Sequence, residues 1–445
     1  MARYLGVTKY GIFGFATSLT SILMVTTDLG LNTHIVRHIS TDYDSAPKYL
    51  GNAIPLKCIF SIGTIILTLI ILILMKTDEL TFTVTLLFSI EMILKTLTYL
   101  LNGSFQAFEE GKYQGIENTL LHVILLIFIL ITIFCDFDIM GIAISYILAN
   151  AIAFGYAYYA LEKNVTKPKF ELDLPFCKEI TRLSLPFAII SLLYVIYYSI
   201  DIVMLTNMIG AYASGIYNAT YKLISVLTLF YSVYTAVIFP VMSKFFNDDE
   251  TRLLISFEKS IKYLMLVIIP IATATVFYSN DIIHLIYGHK YDAASSVLCI
   301  LIWTVCLLFV SGATTSLLNA SHEEMNVTKI YAIAAVFNII LNFFMIPLFS
   351  YNGAAMTTVL SDVLIVIIQC YIIYKLGHRP NKKLYFDLGK ILTGSAILGI
   401  ALYFLHLNMW VALPVGIIIY FAVIYLLRVF DNDDMYVIKE ILGRN

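Results

Sequence analysis

Apolar runs long enough to cross a bilayer follow one another from residue 10 to residue 428, and nothing else in the sequence limits its fold so tightly. A helix needs about 20 consecutive apolar residues to span the hydrocarbon core. Thirteen such runs are expected, among them 10–33, 52–75, 80–104, 184–206, 327–348 and 353–375. Short polar turns separate most of them. With 60% hydrophobic and 13% charged residues, the composition lies outside that of ordinary soluble domains. The chain reads as all-α and polytopic, a multi-pass membrane protein. No basic patch suggests nucleic acid, and the six cysteines show no metal-binding spacing.

A long-period repeat organises these spans. Sliding the sequence by 204 positions places Gly6 on Gly210, Gly11 on Gly215 and Ile12 on Ile216, and Leu19, Ser21 and Leu23 on Leu223, Ser225 and Leu227. Both copies put a glycine-containing turn directly before a long apolar helix. In membrane chains, such self-similarity marks two halves that each contribute one wall of a substrate cavity. The expected division is an N-terminal bundle over 1–161, a linker over 162–183 and a C-terminal bundle over 184–375. Two additional helices at 386–428 and a tail at 429–445 complete it. The stretch Glu171 to Ser184 is expected to form an amphipathic helix lying in the interface, with Leu172, Leu174, Phe176, Ile180 and Leu183 among charges.

Lysine and arginine in the loops give the orientation. One set of alternating loops carries 21 of the 28 basic residues, Lys259 and Lys262 among them, and the other carries Arg3, Lys9, Lys76 and Lys290. The first set is therefore expected in the cytoplasm, with Met1 outside and the C-terminus inside. Six spans then separate the two glycine turns, so the halves are parallel repeats. Repeat and charge bias alike imply one further helix before Met1.

Charged residues within apolar spans usually face a cavity or a partner, because their transfer to the bilayer centre costs roughly 2.5–3.5 kcal/mol. Lys222, about ten residues into its span, is the foremost candidate for a cavity cation. Glu91 and Lys95, four apart on one helical face, form either a structural ion pair or a wet cavity lining. Lys57 is close enough to a cytoplasmic end to snorkel or to act in the cavity. Asp28, in Thr26-Thr27-Asp28-Leu29-Gly30, either ends its helix or couples transport to an ion. Asp201 and Asp362 carry the same pair of readings, local capping or bridging against coupling and gating. Glu117 and Glu258 are expected to be solvated near span ends. His34 and His38 have zinc-compatible spacing but no third ligand, so no metal and no cofactor is expected. No phosphate-binding glycine loop and no nucleophile–base arrangement suggests an enzyme.

Ala2 to Thr33, ARYLGVTKYGIFGFATSLTSILMVTTDLGLNT, resembles the second-helix region of Wzx-type polysaccharide flippases, whose superfamily also holds the lipid II flippase and multidrug and toxin extruders. Tyr198 to Ile224, with Asp201, Gly210, Gly215-Ile216-Tyr217 and Tyr221-Lys222-Leu223, is similar to the start of that family's second half. The resemblance implies two six-helix bundles, the first one helix short here, around a cavity that opens alternately to each side. It also implies two extra C-terminal helices that form a groove for a polyprenyl tail. The implied function is translocation of a polyprenyl-diphosphate-linked oligosaccharide, the repeat unit of an O-antigen, capsule or exopolysaccharide, across the bacterial cytoplasmic membrane. Lys222, Lys95, Glu91 and Lys57 are the implied substrate-binding residues, and Asp28, Asp201 and Asp362 the coupling or gating residues. The implied partners are the lipid-linked oligosaccharide, membrane lipids, a coupling cation or proton, and polysaccharide polymerase machinery. A lipid II flippase and a cation-coupled drug exporter share the fold; a membrane polymerase or ligase is the remaining alternative.

Overall fold

The computed structural model describes residues 1–248, 250–405, 408–430 and 434. Most of the expected tail, 429–445, including the basic residues Lys439 and Arg444, lies outside the described residues. Fourteen α-helices make up the described chain. In order they are α1 (Ala2–Asp28), α2 (Leu31–Ile39), α3 (Ala46–Leu74), α4 (Glu79–Ala107), α5 (Gly111–Phe134), α6 (Asp138–Asn164) and α7 (Leu174–Met208). They continue with α8 (Ala211–Asp248), α9 (Glu250–Phe277), α10 (Ser279–Tyr287), α11 (Ala294–Ala320), α12 (Glu324–Lys375), α13 (Lys382–Leu405) and α14 (Met409–Leu426).

Twelve helical segments among the described residues are long and apolar enough to cross a membrane. One of them, α12, has 52 residues, about 78 Å at 1.5 Å per residue. It breaks at Ser350 (φ 53°, ψ −134°), three residues beyond Pro347. Its two parts correspond to the runs expected at 327–348 and 353–375, so twelve helices hold thirteen spans. The amphipathic helix expected to end at Ser184 continues instead into the next span. Asp173 accepts a capping bond from the Phe176 amide (3.1 Å), and α7 then runs unbroken through Pro186 to Met208. An internal proline deletes one backbone bond and kinks a helix, yet membrane helices accommodate it.

The chain divides into two compact units, Met1–Asn218 and Ala219–Asn445. In the first, α2, α3, α4, α6 and α7 share an apolar cluster that includes Ile35, Leu50, Leu101, Leu161 and Ile180. Small residues set the helix spacing: α6 buries Ala149, Ala153, Ala157 and Ala160 on one face, which lets neighbouring backbones approach. The linker is tied to α3, since the Asp173 amide donates to Asn52 Oδ1 (2.8 Å) and the Lys169 amide to the Pro47 carbonyl (3.0 Å).

The repeat is visible inside this unit. Gly6 (φ 71°) and Gly210 (φ 124°) both hold positive φ, a conformation open to glycine and strained for other residues. Each sits where a helix breaks before the longer run begins. Five residues on, Gly11 of α1 and Gly215 of α8 meet. A Cβ at Gly11 would overlap the Ala211 carbonyl, and one at Gly215 would overlap the Val7 carbonyl. Val7 and Ala211 are themselves 204 apart, so the crossing has a local two-fold relation in which each copy contributes the same glycine and the same carbonyl.

In the second unit α9 and α12 both pack on α11, with Ile268 and Ala272 of α9, Leu298, Leu301 and Val305 of α11 and Ala334 and Ala335 of α12 buried. Gln369 of α12 bridges to α11, accepting from Thr314 Oγ1 (2.5 Å) and donating to Thr315 Oγ1 (2.8 Å). The pair α13 and α14 packs on α9, where Tyr420 Oη donates to the Leu266 carbonyl (2.9 Å).

Candidate functional site

The interior of the first unit is polar along much of α3. Lys57, Ser61, Thr64 and Thr68, spaced by four, three and four residues, are buried on one face, while Ile62, Ile66, Ile70 and Ile73 are exposed on the other. A helix that turns its polar stripe inward and its branched aliphatics outward is built for an apolar solvent. Pro55 stands just before the stripe begins.

Lys57 is the centre of this seam. Its side chain is 0% exposed and forms an ion pair with Asp28, whose side chain is 14% exposed. The ammonium also donates to the Thr96 carbonyl (3.2 Å) and lies 3.3 Å from Thr96 Oγ1. All three of its protons therefore have acceptors from α1 and α4. Lys57 thus lies in the interior and does not snorkel to a helix end.

Asp28 is held in place by the way α1 stops. Leu29 (φ 42°) and Gly30 (φ 75°) are both left-handed, so the chain turns sharply into α2 with the carboxylate at the corner. Asp28 Oδ1 also accepts from the Asn32 amide in the first turn of α2 (3.4 Å), where the helix N-terminus favours negative charge. Thr27 Oγ1 lies 3.0 Å from Thr96 Oγ1, and Thr26 Oγ1 lies 2.7 Å from Thr64 Oγ1. Hydroxyls from three helices thus surround the pair.

The other predicted residues fall elsewhere. Buried Glu91 accepts from Asn150 Nδ2 of α6 (3.0 Å), whereas Lys95, one turn further on, is exposed. No close ion pair joins the two among the described residues, and Glu91 takes its hydrogen bond from an amide. Asp201 is buried on α7 and accepts from Tyr217 Oη (2.7 Å). In the second unit Lys222 is exposed on α8 and Asp362 is half-buried on α12. Among the residues singled out from sequence, Lys57 and Asp28 are brought together as an ion pair.

Two charged clusters were not foreseen. Glu117, expected to be solvated, is 1% exposed and accepts from Asn102 Nδ2 (2.8 Å). It lies two turns inside α5, where α4 covers it. Lys259 and Lys262, counted among the loop cations, converge on Asp434, and Lys262 is buried. Their i, i+3 spacing on α9 is the one sequence signal that they share a face. His34 and His38, the zinc-spaced pair, lie with ring centroids 4.5 Å apart, and His38 stacks on Tyr49.

An apolar cavity of about 350 Å³ opens in the second unit between α9, α13 and α14, lined by Leu266, Pro270, Leu402, Leu413, Ile417 and Tyr420. Its walls offer a hydrocarbon chain dispersion contacts and almost no polar partner.

Comparison with known proteins gives the following likenesses. Residues 1–246 match a family described as polysaccharide biosynthesis protein, and residues 166–421 match one described as lipid II flippase MurJ. A protein of Haloferax volcanii named probable low-salt glycan biosynthesis flippase Agl15 is 23% identical over 89% of this chain and 83% of its own length. The capsular polysaccharide biosynthesis protein CapF of Staphylococcus aureus is 24% identical over 82% of this chain and 90% of its own length. An uncharacterized membrane protein of Methanocaldococcus jannaschii, MJ1068, is 28% identical over 55% of this chain, and there the chain spans 49% of the relative's length. Among solved structures, an inward closed lipid II flippase MurJ aligns over 100% of this chain and 98% of its own, with TM-score 0.75 and 14% identity. An inward-facing MATE family multidrug transporter aligns over 84% and 93%, with TM-score 0.71 and 14% identity. At that identity the two structures establish the fold.

Proposed function

The chain belongs to the polysaccharide biosynthesis protein family, and from that premise we propose that it is a flippase moving a polyprenyl-diphosphate-linked oligosaccharide across a prokaryotic cytoplasmic membrane by alternating access. The relatives named for polysaccharide or glycan biosynthesis come from archaea and bacteria alike. No covalent step is required. The protein must offer cations to a diphosphate, an apolar track to the lipid, and two states of similar energy.

The observation that carries the reading is the buried Lys57–Asp28 pair in the polar seam of the first unit. A buried ion pair contributes little net stability, because desolvation offsets most of its attraction. A pair that adds so little net stability suits a switch, and that is the use proposed here. A cation bound to Asp28 weakens its hold on Lys57 and frees that ammonium for a substrate phosphate. Lys222 and Lys95, both exposed, are the proposed first contacts for the diphosphate. Glu91, Asp201 and Asp362 are proposed to stabilise one state or the other. The apolar cavity at α13 and α14 is proposed to receive the polyprenyl chain.

The proposed architecture is two parallel repeats, 1–161 and 184–375, joined by the 162–183 linker and followed by the helix pair within 386–428. The loop charge bias supports a cytoplasmic C-terminus. A coupling cation or proton and the polymerase machinery are proposed partners. A lipid II flippase is the second reading, favoured by the match over residues 166–421.

Deletion of the gene tests the proposal. The strain should lose surface polysaccharide and accumulate lipid-linked oligosaccharide in the inner leaflet, and should regain both phenotypes with the cloned gene. Intact surface polysaccharide in the deletion strain would refute it. Rescue of a lipid II flippase-depleted strain would favour the second reading.

A further inference from the structure

One turn beyond the apolar cavity, the second unit holds a cluster whose centre is a carboxylate from far down the chain. Asp434 Oδ1 accepts from Lys259 Nζ and from Tyr263 Oη (2.5 Å), and Oδ2 accepts from Lys262 Nζ (2.6 Å). The Asp434 side chain is fully buried, and Lys262 also reaches Asp387 Oδ2 at 3.2 Å. Lys390 stands 3.8 Å from Asp387 Oδ1. Two ammonium groups and a phenol therefore surround one small anion, a donor set that suits a phosphate as well as a carboxylate. With Asp434 in place, three lysines face two carboxylates; without it they face one. Uncompensated buried charge is strongly unfavourable, so the cage calls for a replacement anion of about one charge.

The cage lies one helical turn along α9 from the cavity. Leu266, which lines the cavity, follows Lys262 by four residues and so lies on the same face of α9. A cationic end joined to an apolar groove has the polarity of an anionic lipid.

We propose that Lys259, Lys262 and Tyr263 bind the phosphodiester of an anionic glycerophospholipid whose acyl chain lies between α9, α13 and α14, with Asp434 as the chain's own competitor for that site. The proposal rests on the reading of this groove as lipid-binding, but concerns a different lipid from the transported one. A phosphodiester carries a single charge and replaces a carboxylate one for one, whereas a diphosphate brings more. Phospholipid and polyprenyl chain then exclude one another from the groove.

Thermal unfolding of the full chain in detergent tests this, comparing wild type with Asp434→Asn in dioctanoyl phosphatidylglycerol, dioctanoyl phosphatidylcholine or inorganic phosphate. The variant should melt below wild type. Phosphatidylglycerol should restore its Tm at a roughly tenfold lower concentration than it needs to raise that of wild type, tenfold being the effect of about 1.4 kcal/mol of relieved competition. Phosphatidylcholine and inorganic phosphate should not restore it, and adding Lys262→Met should abolish the effect. Equal responses of wild type and variant, equal responses to the two lipids, or persistence with Lys262→Met would each overturn the proposal. Full restoration by inorganic phosphate would overturn the lipid assignment. If Asp434→Asn does not fold, native mass spectrometry of wild type against Lys259→Met decides: the variant should retain less phosphatidylglycerol, and equal retention overturns the site. These readouts involve no transport, so failure of the flippase reading leaves them unchanged.

Discussion

Replacing Lys57 by Met leaves Asp28 with one long bond from the Asn32 amide and no cation, in a site where its side chain is 14% exposed. Replacing Asp28 by Asn leaves a fully buried ammonium with neutral oxygens alone, those of Thr96 and of the new amide, and no counter-charge. Breaking a buried pair from either side costs about 3–5 kcal/mol, whereas replacing both partners with neutral groups is close to neutral. Each single variant should therefore lose about 3–5 kcal/mol, and Lys57→Met/Asp28→Asn should regain most of it. The coupling energy from the cycle should then be about 3 kcal/mol or more, at or beyond the upper end of the range found for contacting residues. In a unit of about 200 residues, 1 kcal/mol shifts Tm by roughly 2–4 °C, so each single variant should melt roughly 6–20 °C below wild type. The assay is thermal unfolding of detergent-purified protein, followed by size-exclusion chromatography. The double variant should be folded yet unable to restore surface polysaccharide. Additive losses in the cycle would refute the buried pair, and a stable double variant with full transport would refute its functional role.

Lys222→Ala should abolish surface polysaccharide while leaving protein abundance unchanged; unchanged polysaccharide would remove Lys222 from the site. Gly11→Ala should lower folded yield, since its methyl meets the Ala211 backbone, at about 1–3 kcal/mol for overpacking. Gly155→Ala, with open space around it, should be neutral by the same measurement. Burial, with His38 and Arg37 adding to it, holds the His34 imidazole below its ordinary range. The unfolded chain therefore binds this proton more readily than the folded one. The resulting stability is full above the unfolded pKa of about 6.5 and is lost as pH falls toward the lower folded value. Tm should drop across that interval in wild type and drop less in His34→Phe.

Much of the fold was legible because membrane solvation acts on contiguous runs, which hydropathy reads directly. The repeat was legible too: Gly6 and Gly210 both break helices, and Gly11 and Gly215 face each other across a crossing that admits no side chain. The break at Ser350 divides the two expected spans of α12, while the expected interfacial helix fused with its neighbour because no residue between Phe176 and Pro186 ends a helix. The candidate site was less legible. Asp28 and Lys57 were each conspicuous as charges in apolar surroundings, but their pairing across 29 residues depends on the turn at Leu29–Gly30. Glu91 and Lys95 show the converse: helical spacing suggested a pair, while the hydrogen bond to Glu91 comes from Asn150 on another helix. Glu117 and Lys262 were misjudged for one physical reason. Distance from a span end measures access to water, and a covering helix or a distant carboxylate removes that access without any local mark.

Reconstitution into liposomes tests the central claim most directly. A fluorescent polyprenyl-diphosphate oligosaccharide placed in both leaflets should become fully accessible to an external quencher or glycosidase when wild-type protein is present. With Lys222→Ala it should remain half protected, as in protein-free vesicles. Protection at the protein-free level with folded wild-type protein would contradict the account.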